Sequence, residues 1–205
     1  MADPRSDQEL MAAHVAGHPR AFDEIVRRHT DRLWAFAVRT LGDSHEASDA
    51  LQEAFLSAFR AAAGWRGEAS VSTWLHRIVY RACLDRVRQR RTHRADPLEE
   101  DTDLPTPRDA MADRMTVLAV DEALERLPAG QRAAVVLVDM QGLSVAEAAS
   151  ALGVREGTVK SRAARGRYRL AVLLGHLRPG AGNDEGPADV EVSGGDVSSR
   201  AGGER

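Results

Sequence analysis

Residues 155–169 read Arg-Glu-Gly-Thr-Val-Lys-Ser-Arg-Ala-Ala-Arg-Gly-Arg-Tyr-Arg, and in that stretch Arg155, Lys160, Arg162, Arg165, Arg167 and Arg169 face the single acid Glu156. Guanidinium groups at helical spacing suit phosphate, and a single one can bond a guanine edge through two donors. A second run, residues 76–94, holds Arg77, Arg81, Arg86, Arg88, Arg90, Arg91 and Arg94 against Asp85 alone. The formal net charge of the whole chain is only −3, so the positive charge is segregated rather than abundant. Acids concentrate between the runs (Asp96, Glu99, Glu100, Asp101, Asp103) and toward the end (Asp184, Glu185, Asp189, Glu191, Asp196). One arginine run is commonly a solvated helix face. Two runs, each closing a separate helical block, point to a polyanion.

Other chemistries fit less well. His14 and His18 are four apart, as helix-borne zinc ligands would be, but Gly17 and Pro19 interrupt the helix between and after them. Cys83 is the one cysteine, which excludes an internal disulfide and a CxxC zinc site; it reads as a small core residue. Gly153, Gly157, Lys160 and Ser161 imitate a phosphate-binding loop with the wrong glycine spacing and no strand before it. No pair of carboxylates on converging elements, nucleophile motif or metal cluster is legible. The expectation is a non-enzyme with no cofactor and no metal. No 18-residue apolar run or charged-then-apolar start occurs, so the chain is expected to be cytoplasmic and not inserted in a membrane.

The elements that must position these arginines follow from periodicity. Hydrophobic content of 43% with 4% aromatics, and heavy use of Ala, Leu, Arg and Glu, predicts an all-α fold. Ser6 and Glu9 have capping-box spacing, which starts a short helix running to about Gly17. From Pro19, Phe22, Ile25, Val26, His29, Leu33, Phe36, Ala37 and Leu41 recur at three and four, and Gly42 stops them. Asp43 or Ser44 caps the next helix, with Leu51, Ala54, Phe55, Ala58, Phe59 and Ala62 expected inward. After a break at residues 63–67, a helix from Ser70 or Ser72 buries Trp74, Leu75, Ile78, Val79, Ala82, Cys83, Leu84 and Val87, with its arginines outward. Three prolines, several acids and no apolar period make 92–112 a flexible acidic linker. A second helical block follows from Met115, and residues beyond Pro179 offer almost nothing to bury. The expected organisation is two small helical domains, 6–91 and 113–177, with linker 92–112 between them and a disordered tail over 178–205.

Within the second block, Ser144 and Glu147 repeat the capping-box spacing, and Gly153 ends that helix in a tight turn. Ala149, Gly153 and Val159 then supply a helix-turn-helix: a small residue where helices cross, a turn, and a filler of the angle between them. The second helix of such a unit enters the major groove. Lys160, Ser161 and Arg165 share one side of it and are the candidates for base contact. Arg162, Arg167 and Arg169 are better placed for phosphate, which sets affinity rather than sequence.

On these residues the chain resembles the extracytoplasmic-function (ECF) sigma factors of bacterial RNA polymerase, over about residues 20–176. The motifs are Asp49-x-x-Gln52-Glu53, Trp74-Leu75 followed by Arg77-Ile78, the Leu127-Pro128 turn, and Glu156 to Arg162. Val71-Ser72, His76 and Ala82 to Arg86 look most like the actinobacterial SigM-type subgroup. The resemblance implies a region 2 domain and a region 4 domain. It implies that Asp49, Gln52 and Glu53 dock on the clamp helices of the core polymerase largest subunit. The loop at Arg66, Gly67 and Ser70, with Trp74 on the following helix, would take a base flipped from the −10 element of promoter DNA, while Arg77, Arg81, Arg86 and Arg88 hold the backbone. Thr158, Lys160, Ser161, Arg162, Ala164, Arg165 and Arg167 would meet the −35 element. It further implies an acidic linker threading toward the polymerase active site, control by an anti-sigma factor, and a monomer when free. Arg81 and Val71 depart from the asparagine and phenylalanine common in the family, and Ala164 offers a methyl contact suited to thymine. The rival readings are an autonomous helix-turn-helix regulator, for which no dimerisation helix or ligand domain is visible, and a nucleic-acid enzyme, for which no catalytic set is visible.

Overall fold

A computed structural model describes residues 3–93 and 111–175, and every regular element among them is helical. Local chemistry starts and stops the helices much as the sequence predicts. Helix α1, Asp7–Val15, opens on a reciprocal cap: Glu9 N–H donates to Ser6 Oγ at 3.2 Å and Ser6 N–H donates to Glu9 Oε2 at 2.6 Å. Helix α2, Ala21–Leu41, ends at Gly42, and Asp43 then caps α3, Ser44–Ala61, by accepting the Glu46 N–H at 2.8 Å. A 3-10 turn, Ala62–Gly64, leads to the loop before α4, Val71–His93. Ser70 is the cap of α4, its Oγ accepting the Thr73 N–H at 3.1 Å.

The second block holds α5, Met111–Glu125; α6, Ala129–Val135; α7, Val145–Leu152; and α8, Glu156–Leu173. Helix α6 starts right after Pro128, whose carbonyl accepts the Gln131 and Arg132 N–H groups at 2.8 and 3.0 Å. It runs on into a π turn, Val136–Met140, which periodicity alone did not reveal.

Helix α2 is the spine of the first block. It buries Ile25, Leu33, Phe36 and Ala37 against α3 and α4, and its Arg28 bonds Asp7 of α1 at 3.0 Å. Cys83 is buried on α4, where burial pushes its thiol up to about 12; a thiol that stays protonated is a poor nucleophile, as a core residue should be. Phe59 corrects the expected inward face of α3. It is 53% exposed, stacked edge-on to Phe22 at 5.3 Å and on His14 at 4.6 Å, because α1 covers only one side of it.

The two blocks do not stand apart. Helix α7 lies along α4, α6 and α5 lie against α2, and one apolar core runs through both blocks. Of the expected linker, residues 92–93 and 111–112 belong to α4 and α5; residues 94–110 lie outside the described residues, as does the expected tail 178–205.

Candidate nucleic-acid interface

The helix-turn-helix forms as its residues dictate. Glu147 N–H donates to Ser144 Oγ at 3.2 Å, and the Ser144 hydroxyl and N–H, donating to Glu147 Oε2 at 2.7 and 2.9 Å, hold that carboxyl below its usual range. Gly153 turns the chain at φ 64°, a left-handed conformation that costs other residues about 1–2 kcal/mol. Ala149 and Val159 are both buried at the crossing, 6% and 0% exposed, as their spacing predicts. Gly166 matters as well, and no motif announced it. A Cβ there would stand 2.6 Å from Val135 Cγ2, so only glycine lets α8 seat this closely on α6.

With α8 seated, Lys160, Ser161, Ala164 and Arg165 are all exposed along its outer side. Arg165 lies back along the helix, its Nε donating to the Ser161 carbonyl at 3.2 Å, while Ser161 Oγ donates to the Thr158 carbonyl at 3.1 Å. The expected phosphate contacts divide. Arg167 is exposed but paired with Asp139 at 2.9 Å, and half-buried Arg162 lies over Gly130 at the start of α6. Arg162 therefore also braces α8 on α6.

In the first block, Asp49 and Glu53 point outward from α3, their side chains 60% and 65% exposed, and Gln52 is exposed beside them. Arg86, expected among the DNA contacts, bridges these carboxylates at 3.4 and 3.8 Å. Arg88 pairs with Asp85 at 2.7 Å. Arg77 and Arg81 are exposed and form no ion pair among the described residues. Leu56 was missed. It is 52% exposed at the spacing that continues the face of Asp49, Gln52 and Glu53, and Phe59 extends the same apolar edge.

Between the 62–70 turn and α4 lies a cleft of about 540 Å³ lined by Trp65, Arg66, Glu68, Trp74, Arg77 and, from α7, Ser150. The resemblance implies −10 contacts for Arg66, Trp74 and Arg77, and the fold brings all three to one cleft. Gly67, at φ 75°, makes the loop's bend, and Ser70 is occupied as the helix cap. The Trp65 indole N–H is buried beside the cleft without a partner among the described residues. Among the described residues no group of His, Cys, Asp and Glu could hold a metal ion. Nor is any helix long and apolar enough to cross a membrane.

Residues 25–93 match the family model for Sigma-70 region 2, and residues 118–170 match the model for Sigma-70, region 4. The chain is 56% identical to the ECF RNA polymerase sigma factor SigM of Mycobacterium tuberculosis, across 86% of this chain and 88% of that protein. It belongs to the ECF sigma factors. The SigM-type resemblance is thus borne out, and an initiation factor is not an enzyme, as expected. The fold of this sigma factor is shared with solved relatives. One is the sigma factor RpoE of Bartonella quintana, bound to the anti-sigma factor NepR, at TM-score 0.64 and 25% identity, covering 78% of this chain and 99% of that one. Another is CnrH bound to the cytosolic domain of CnrY, at TM-score 0.64 and 28% identity, covering 84% and 99%.

Proposed function

We propose that this ECF sigma factor docks on core RNA polymerase through the outer face of α3 and reads promoter DNA with two cationic surfaces, acting in the cytoplasm. The observation that carries the reading is one chain presenting both an outward carboxylate face at Asp49, Gln52 and Glu53 and a seated helix-turn-helix whose Lys160, Ser161, Ala164 and Arg165 are exposed. Basic side chains on the polymerase clamp helices pair with Asp49 and Glu53, and Leu56 adds apolar contact at the rim. Arg86 holds the two carboxylates in place until the clamp replaces it. The cleft at Trp65, Arg66 and Trp74 takes a base extruded from the −10 element, where stacking offsets the few kcal/mol that extrusion costs. Arg77 and Arg81 hold the backbone beside that base. Arg165 reads a −35 base edge, and Arg167, released from Asp139, meets phosphate. Region 2 spans 6–91 and region 4 spans 113–177, and an anti-sigma factor covering the polymerase-docking faces accounts for control.

The test is reconstitution. Purified factor added to core polymerase should start transcripts from a small promoter set on genomic DNA, while the factor alone binds duplex weakly. Tight, sequence-specific operator binding without polymerase would overturn the reading in favour of an autonomous regulator.

A further inference from the structure

A seam of bonds fixes the second block on the first. Gln141 Nε2 donates to the Arg32 carbonyl on α2 at 2.8 Å, and Arg132 Nη1 donates to the Thr40 carbonyl at 3.0 Å. One result is that the turn of the helix-turn-helix comes to face α4. Arg155, at the start of α8, lines a cleft of about 380 Å³ together with Arg77 of α4. Arg77 also lines the cleft at Trp65 and Trp74, and a third one of about 400 Å³ beside Arg81. Sharing that guanidinium, the three make up one groove with walls from both blocks.

The groove collects charge that the described residues do not offset. Arg66, Arg77, Arg81 and Arg155 are exposed and form no ion pair among them. Of the acids on its walls, Asp85 is held by Arg88 at 2.7 Å, which leaves Glu68 against four guanidiniums. Like charges gathered at a seam repel, and a multivalent anion between them turns the repulsion into attraction. One end of the groove is aromatic. Trp65 and Trp74 are half-buried on its wall, and the indole N–H of Trp65 still lacks an acceptor there. That cleft, of about 540 Å³, falls within the ~300–1,000 Å³ of small-molecule sites. An indole face takes a base by stacking, and a guanidinium grips phosphate through paired donors. Trp74 and Arg81 are seven residues apart, about 10 Å along α4, a length that a nucleoside triphosphate spans.

We propose that this groove is a composite binding site for a nucleoside polyphosphate, its base against Trp65 and Trp74 and its phosphates among Arg77, Arg81 and Arg155. Glu68 accepts an amino group of the base, which guanine carries. Because Arg155 comes from the second block and the other arginines from the first, a bound nucleotide bridges the two and adds to the stability of the folded chain. Nucleotide binding here does not depend on the −10 role of the Trp65 cleft, and the test contains no DNA.

The test titrates the full chain with GTP by calorimetry at low salt, and with sodium tripolyphosphate as the probe that lacks a base. One GTP should bind per chain, quench tryptophan fluorescence and raise the melting temperature. Tripolyphosphate should bind about tenfold or more weakly and leave the fluorescence unchanged. Arg81→Glu and Arg155→Glu, one in each block, should each weaken GTP by about tenfold or more. Arg60→Glu, the same charge change in the last turn of α3, should not. Circular dichroism melts establish that each variant is folded. No saturable binding at millimolar GTP, equal affinity for tripolyphosphate, or equal weakening by Arg60→Glu overturns the site. A loss confined to Arg81→Glu assigns the anion to α4 alone and overturns the composite groove.

Discussion

At the scale of single residues, the arginines of α4 and α8 do different work although the sequence writes them alike. Arg86 is spent on Asp49 and Glu53, Arg90 ties Glu46 and the Leu41 carbonyl, and Arg77 and Arg81 keep their charge unpaired among the described residues. The Arg86 pairs are wide and join exposed carboxylates, so removing them changes stability by no more than about 1 kcal/mol. Reversing the docking charge is another matter. Glu53→Lys should lower affinity for core polymerase by about tenfold or more, read by fluorescence anisotropy against labelled core, with an unchanged melting temperature. On α8 the division between reading and holding can be separated. Arg165→Ala should lose roughly 1–3 kcal/mol at preferred −35 sequences and little elsewhere, whereas Arg167→Ala should weaken all duplexes alike. Binding titrations on a panel of −35 variants check this, and identical losses across the panel for both changes would refute the division.

At the scale of elements, the recognition helix is held by two glycines with opposite physical reasons. Gly153 is needed for its backbone, at φ 64°, with open space around an added Cβ. Gly166 is needed for space, since an added Cβ meets Val135 at 2.6 Å and Leu127 at 3.3 Å. Gly153→Ala should therefore cost about 1–2 kcal/mol through strain. Gly166→Ala should cost about 1–3 kcal/mol through overpacking between α6 and α8. Thermal melts measure both. A paired Val135→Ala change makes the distinction: it should recover part of the loss at Gly166 and none at Gly153. The cap of α7 is a third support, and Ser144→Ala should remove about 1 kcal/mol by leaving the Glu147 N–H without its partner.

At the scale of the whole molecule, the seam between the blocks contains a titratable group. His76 is fully buried, with Nδ1 2.7 Å from the Ser72 carbonyl and Nε2 3.1 Å from Gln141 Oε1. A neutral ring carries one N–H and satisfies one of these acceptors at a time. Burial is the dominant influence and pulls the ring below its usual 6.5, the bonds to Ser72 and Gln141 oppose it, and the nearby charges of Arg32 and His29 reinforce it. Because the folded value lies below the unfolded one, the unfolded chain takes up this proton first on acidification. Stability from a neutral His76 is thus complete above about pH 6.5 and is lost as pH falls below that value. The melting temperature should drop between about pH 7 and 5.5, and His76→Gln should flatten that slope; equal slopes in both proteins would remove His76 as the cause.

Both capping boxes, the αL turn at Gly153 and the small-turn-filler spacing of the helix-turn-helix were legible in the sequence, because each depends on residues within a few positions of one another. So were the segregated arginines and the outward carboxylates of α3, whose helical spacing alone puts them on one face. The exposure of Phe59, the capture of Arg86 by Asp49 and Glu53, the closeness that demands glycine at 166, and the grip of Gln141 on Arg32 and His76 were not. Each joins residues on different helices, most of them dozens of positions apart, and periodicity records which side of a helix is apolar without recording which neighbour covers it. The packing of the two blocks belongs with these, because it is set by side-chain complementarity across a seam whose partners carry no shared motif.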